Sequence, residues 1–186
     1  MNELSLHILD IINNSVKAGA ALIILEINED IAANRLIIVI ADDGCGMDAE
    51  FLREVLDPFK TTRTTRKVGM GLSLFKSAAE QTGGGLTISS QPGVGTTVTA
   101  EFTYDSIDRQ PIGDIAATIT TVLSGNDGLD IMYTHTICGE SFVTDTREIR
   151  EILGDVSLSS PEVIMWIKDY IDENTEEIRA RHCNRE

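Results

Sequence analysis

The chain is short of several things that decide its class. It has three cysteines in 186 residues, Cys45, Cys138 and Cys183, odd in number and far apart. That spacing excludes a disulfide framework and points to a reducing, cytosolic setting. Basic residues are scarce: 15 Lys and Arg stand against 30 Asp and Glu, a formal net charge of −15. Bulk electrostatics therefore argue against nucleic acid or an anionic membrane as a partner. No apolar run approaches membrane-spanning length, and the amino terminus lacks the basic-then-apolar layout of a secretory leader. A cytoplasmic protein without a membrane anchor is expected. Internal repeats and low-complexity tracts are also missing.

What is present is ordinary for a globular protein, with 42% hydrophobic and 24% charged residues and room for one full domain and a small second one. The scarcity of positive charge makes its placement informative. Four of the fifteen basic residues, Lys60, Arg63, Arg66 and Lys67, fall in the run "KTTRTTRK". Such a run on an acidic chain is a candidate anion site, although on its own it is more often a solvated loop.

Hydrophobic spacing orders the chain into elements. Leu4, Ile8, Ile11, Ile12 and Val16 form a helical stripe within residues 3–18, while Glu3, His7, Asp10, Asn14 and Lys17 line another edge. "ALIILEI" and "RLIIVIA" read as strands joined by a polar turn, followed by the break "DDGCGMD" and a short helix over 48–56. A Gly-, Thr- and Arg-rich segment leads to a helix over about 72–82 that stops at Gly83-Gly84-Gly85. "GLTISS" and "TTVTAEF" flank "QPGVG" as a hairpin. Beyond Tyr104 the spacing predicts a helix near 112–124, strands at 129–137 and 141–144, a helix at 145–153 and a last helix opened by Ser160-Pro161.

Three segments carry candidate chemistry. "DDGCG" sets Asp42 at the end of a buried strand. A carboxylate there wants a hydrogen-bond donor, which a nucleobase amino group would supply, though a plain turn also accounts for the motif. In "VGMGLSL", Gly69 and Gly71 precede a helix whose first N–H groups form a ready phosphate cradle. In the first helix Asp10 and Asn14 are four apart and share a face. An amide oxygen suits magnesium, and a carboxylate one turn earlier could hold a water or a nucleophile.

Together and in this order the segments resemble the GHKL superfamily of ATP-binding domains (gyrase, heat-shock chaperone, histidine kinase, MutL). "DIINNSVKAGA" looks like the N box in its MutL form and "DDGCGMD" like the Asp-x-Gly-x-Gly motif for adenine. "DPFKTTR" and "VGMGLSL" resemble histidine-kinase segments, and "QTGGGLTISSQPGVGTTVTAEF" the closing strands of those domains, so the resemblance spans residues 3–103. It implies a Bergerat-type two-layer α/β sandwich, a mixed sheet with helices on one face, over residues 1–104. A small α+β domain would follow at 105–186. It also implies ATP and Mg²⁺ as cofactors. Asn14 would hold the metal, Asp10 would take the catalytic acid position of the N box, and Asp42 would accept from the adenine amino group on a floor shaped by Gly44, Gly46 and Met47. Gly69, Gly71 and Leu72 would lie along the phosphates, Arg63 and Lys67 would meet them from a lid, and Lys17 and Thr97 would complete the cofactor-binding set.

Two departures matter. Hydrolytic relatives usually carry glutamate where this chain has Asp10, and a misplacement near 1 Å can cost on the order of 100-fold. The N box also begins almost at Met1, so no phosphoacceptor-histidine hairpin is expected before it, and His7 reads as an edge residue of the site. The expectation is a regulatory protein kinase acting on a partner or phosphoacceptor protein, in the style of anti-sigma-factor kinases. A slow ATPase switch and a nucleotide-bound interaction module are the alternatives, and a homodimer is compatible with each. In the tail, His135, Cys138, His182 and Cys183 fit no familiar metal spacing and suggest structural roles. Val163, Ile164, Ile167 and Ile171 form an apolar stripe with Trp166 at its side, available to the first domain or to a partner.

Overall fold

Every second side chain of β1 (Leu22–Asp30) and β2 (Arg35–Asp42) is buried: Ile23, Leu25, Ile27 and Glu29 on one, Leu36, Ile38 and Ile40 on the other. That period of two puts one face of the pair against a core and the other toward water, where Glu26 and Asn28 are exposed. The turn between the strands is closed by the Ala33 N–H, which donates to Asp30 Oδ1 at 2.9 Å. The computed structural model describes residues 3–56 and 71–183. Arg63, Lys67 and Gly69 of the expected cofactor set lie outside them.

Four more strands, β3 (Gly85–Gln91), β4 (Gly95–Thr103), β5 (Asp130–Ile137) and β6 (Glu140–Asp145), complete a mixed sheet of order β3-β4-β2-β1-β5-β6. β5 runs parallel to β1, while every other neighbouring pair is antiparallel. Helices α1 (Leu4–Lys17), α3 (Gly71–Gln81) and α4 (Ile115–Gly125) supply the opposing layer, α1 lying between the other two. Their buried side chains meet those of the strands in one core, with Phe75, Phe102 and Tyr133 its largest enclosed members. Emptying such an aromatic position to alanine costs about 3–5 kcal/mol. Two short helices, α2 (Ala49–Leu56) and α5 (Thr146–Leu153), and the long α6 (Pro161–Cys183) complete the described chain. No helix among the described residues is long and apolar enough to cross a membrane.

The segment beyond Tyr104 is built into this sheet. β5 zips along β1 from Leu22–Asp130 to Glu29–Ile137, and α4 packs on α1. The first N–H groups of α1, which lack intrahelical partners, donate from Leu4 and Ser5 to Pro111 O (2.9 Å) and Ile112 O (2.7 Å). The expected boundary at 104/105 is therefore not a break in the sheet or the core. The apolar stripe of α6 turns inward, with Val163, Ile167 and Ile171 buried and α6 against α4, while Trp166 is half exposed and stacks on Tyr170 at 5.3 Å.

Glu29 ties these parts together from inside. Its carboxylate accepts from His135 Nε2 (2.8 Å), Arg179 Nη2 on α6 (2.9 Å) and the Tyr104 hydroxyl (3.1 Å). His135 Nδ1 in turn lies 2.9 Å from the Tyr133 hydroxyl. Burial alone would raise the Glu29 carboxyl, but the hydrogen bond from His135 and the nearby Arg179 charge outweigh it and hold it below its ordinary value. His135 is thus engaged structurally, as expected. Removing one partner of such a buried charge typically costs about 3–5 kcal/mol.

Candidate functional site

The motif residues converge at one end of the sheet, where β2 ends, β4 begins and the second half of α1 passes over them. Asp42, last in β2, is half-buried. Its Oδ1 accepts from the Gly44 N–H at 2.9 Å and its Oδ2 from the Ser15 hydroxyl at 2.7 Å. Two donors from different elements thus fix the carboxylate while leaving lone pairs free. The neighbouring Asp43 serves the fold instead. Its Oδ1 accepts from Ala21 and Leu22 N–H at 2.8 and 2.9 Å and closes the start of β1.

α1 connects the Asp42 carboxylate to the second end of the site. Asp10 lies about one turn before Asn14 and five residues before Ser15, so the helix carries it some 7.5 Å along its axis from Ser15. Asp10 is exposed and Asn14 half-buried, on the same edge of the helix. The start of α3 abuts Asp10: a Cβ on Gly71 would lie 2.7 Å from Asp10 Cβ and 2.8 Å from Asp10 Oδ2. Only glycine lets the backbone at that point of α3 come so near the carboxylate. His7, one turn further back, is buried, stacks on Phe75 at 5.4 Å and meets Gln110 Oε1 at 3.1 Å. It packs α1 to α3 behind the site, and burial pushes its imidazole below the usual histidine value.

The remaining expected residues separate. Gly46 adopts φ +65°, and a Cβ there would fall 2.0 Å from the Gln91 carbonyl oxygen, so this glycine answers to the β3–β4 hairpin behind it. Met47 donates its N–H to Ser90 Oγ at 2.8 Å. Leu72 is 7% exposed and belongs to the core. Lys17 is exposed at the last turn of α1. Thr97 pairs with Ala41 and shares the outward face of the sheet, whereas Thr96 pairs with Asp42 on the face that carries the helices. The threonine brought beside the carboxylate is therefore Thr96.

Sequence reasoning missed Ser15, Thr96 and Ser90. Ser15 is a polar residue set in the buried stripe of α1, four after Ile11. Thr96 follows from counting back by twos from the buried Phe102, Ala100 and Val98. Ser90 has no such signal, since it stands in an edge strand rich in serine and threonine.

The family model described as histidine kinase-, DNA gyrase B-, and HSP90-like ATPase matches residues 2–106, more than half of the chain. The protein belongs to this family. As a member of the GHKL group it shares its ATP-binding domain with histidine kinases. It is 37% identical over 62 residues to the signal transduction histidine-protein kinase AtoS of Escherichia coli, covering 33% of this chain and 10% of that one. It is 36% identical over 66 residues to the sensor kinase CckA of Brucella abortus, covering 35% and 7%. Alignments with three of the curated relatives span only 7 to 14% of their lengths. Among solved structures the Aquifex aeolicus MutL ATPase domain, complexed with ADP, superposes with a TM-score of 0.51 at 15% identity over 82% of this chain and 69% of that one. This likeness bears on the fold: a mixed sheet with helices on one face, as expected.

Proposed function

We propose that this GHKL protein binds Mg-ATP across the recess between α1, the start of α3 and the β2–β4 ends, and passes the terminal phosphoryl group to a partner protein. The observation that carries the proposal is the division of one helix between two anchors: Ser15 holds the Asp42 carboxylate at one end, and Asp10 meets the glycine start of α3 at the other. Asp42 receives the adenine amino group, because its two fixed donors leave it an oriented acceptor and nothing to donate. The N–H groups at the start of α3 face the phosphates.

The donor set near Asn14 fits magnesium. Its amide oxygen is a hard ligand, and among the described residues no cluster of three His, Cys, Asp or Glu side chains stands ready to bind a metal by itself. An ion at Asn14 would draw most of its shell from phosphate oxygens and water, as magnesium does, and would neutralise charge on the phosphates. Asp10 accepts the proton of the attacking nucleophile, a partner side chain in the transfer reaction. The shorter Asp side chain keeps water a poor nucleophile, so that transfer is favoured over hydrolysis.

Purified protein incubated with γ-labelled Mg-ATP and cell lysate tests the proposal. Label should appear on a discrete protein band, and calorimetry should show ATP binding to the protein alone. Free phosphate released without any partner would instead assign the protein to the slow ATPase switches, and absence of ATP binding would overturn the nucleotide site altogether.

A further inference from the structure

Ser90 is a half-buried hydroxyl on the edge strand β3 with more partners than a surface serine needs. It stands opposite Thr96, and Thr96 stands opposite Asp42, so the three form a row across β3, β4 and β2. Ser90 Oγ lies 2.8 Å from the Met47 nitrogen, 3.0 Å from the Gly95 carbonyl oxygen and 2.9 Å from Thr96 Oγ1. We propose that Ser90 is a positioning residue for base recognition: through these contacts it sets which way the Thr96 hydroxyl presents its proton, and so favours a 6-amino purine. The proposal rests on the nucleotide reading above.

The donor inventory leaves one freedom in the network. The Met47 N–H can only donate and the Gly95 carbonyl can only accept. In one arrangement Ser90 donates to Gly95, Thr96 donates to Ser90, and Thr96 turns lone pairs toward Asp42 and the recess. In the other, Ser90 donates to Thr96 and the Thr96 proton turns outward. Both rotors keep their own protons, so the change breaks no covalent bond.

The chemistry of the base selects between them. In adenine the 6-amino group is flanked on either side by ring nitrogens that accept, N1 and N7. A base whose amino group is received by Asp42 therefore presents an acceptor beside it, next to Thr96. That favours the second arrangement, with Ser90 supplying the proton that frees the one on Thr96. A 6-oxo purine has no amino proton for Asp42 and, where adenine offers the N1 acceptor, carries a hydrogen that needs no proton from Thr96, so it draws nothing from the second arrangement. Ser90 should consequently act on ATP and not on ITP.

Calorimetric titration of the full chain with ATP and with ITP tests this in Ser90→Ala, Ser90→Cys, Ser90→Thr, Thr96→Val and the Ser90→Ala/Thr96→Val pair. Loss of one aligned hydrogen bond is expected to weaken ATP binding about tenfold in Ser90→Ala. ITP affinity should stay unchanged, so the ATP/ITP ratio falls by the same factor. Ser90→Thr should restore the ratio. In the Thr96→Val background the alanine change should add little, because the two residues act as one unit. Ser90→Cys keeps a heteroatom at the same position, somewhat larger, but hydrogen-bonds weakly; it carries the same expectation and covers an alanine variant that fails to fold. Equal losses for ATP and ITP would mean that Ser90 merely holds the loop, and an unchanged ATP affinity would remove it from base recognition. Either result in a parent that binds ATP overturns this inference alone. A parent that binds neither nucleotide overturns the site reading with it.

Discussion

Replacing Asp42 by asparagine exchanges one carboxylate oxygen for an NH₂ group at nearly constant volume, and the neighbours of the carboxylate dictate the outcome. One oxygen of the new amide must become an NH₂. On the Oδ1 side it would confront the Gly44 N–H at 2.9 Å, donor against donor. On the Oδ2 side it meets Ser15, whose hydroxyl can swing its proton to the Ile11 carbonyl already 3.3 Å away and accept from the amide instead. The amide therefore turns its nitrogen to Ser15, and the fold exchanges two charge-assisted hydrogen bonds for two neutral ones, roughly 1–2 kcal/mol in all. The site loses its charge. The adenine amino group faces at best a neutral acceptor, already shared with Gly44, which costs about 1–3 kcal/mol, or roughly 5- to 150-fold in affinity. Calorimetric titration with ATP gives the affinity, and a thermal melt of the same sample reports the fold. An unchanged affinity in a protein that melts like the parent would refute Asp42 as the adenine acceptor.

Asp10→Asn should bind Mg-ATP about as well as the parent yet lose phosphoryl transfer, since a group acting mainly in the transition state leaves ground-state affinity alone; normal turnover would remove Asp10 from catalysis. Asn14→Ala should weaken the magnesium-dependent part of ATP binding, read as a loss of the affinity difference between magnesium and chelator. Residues 1–104 alone should not fold, because they leave β1 without β5 and α1 without α4; a cooperative melt from that fragment would overturn the continuity of the core. Acidification should lower the melting temperature in two stages. His7 has its folded value below the ordinary 6.5, so below that pH the unfolded chain takes the proton first and stability falls, a stage expected to vanish in His7→Gln. Glu29, held below its ordinary 4.5, contributes fully above that pH and loses its contribution as pH falls toward its folded value.

Local features can be read from the residue order, and long-range ones cannot. The stripe of α1, the Pro-Gly hairpin and the Ser160-Pro161 start of α6 each depend on a few neighbouring residues, and the structure reproduces them. The insertion of β5 beside β1 depends on two segments from opposite halves of the chain, and hydrophobic period says nothing about which strands meet. Reading the "GTT" motif as a string favours Thr97 over Thr96; the pleat decides which of two adjacent threonines shares the face of Asp42. Glu29 looks like a polar residue near a turn, yet it continues the buried parity of Ile23, Leu25 and Ile27. Its partners Tyr104, His135 and Arg179 come from three later segments that no local pattern joins.

The parallel seam between β1 and β5 also has a consequence for synthesis. β1 is made early, but the strand that covers its second edge emerges from the ribosome only after all the nucleotide motifs have done so. Until then the growing chain exposes an unpaired row of backbone groups along a strand rich in isoleucine and leucine, the kind of edge that recruits other chains. Contacts so distant in sequence also form slowly. The nascent protein thus passes through an interval in which its family motifs are complete and its sheet is open, and chaperone protection should matter most there.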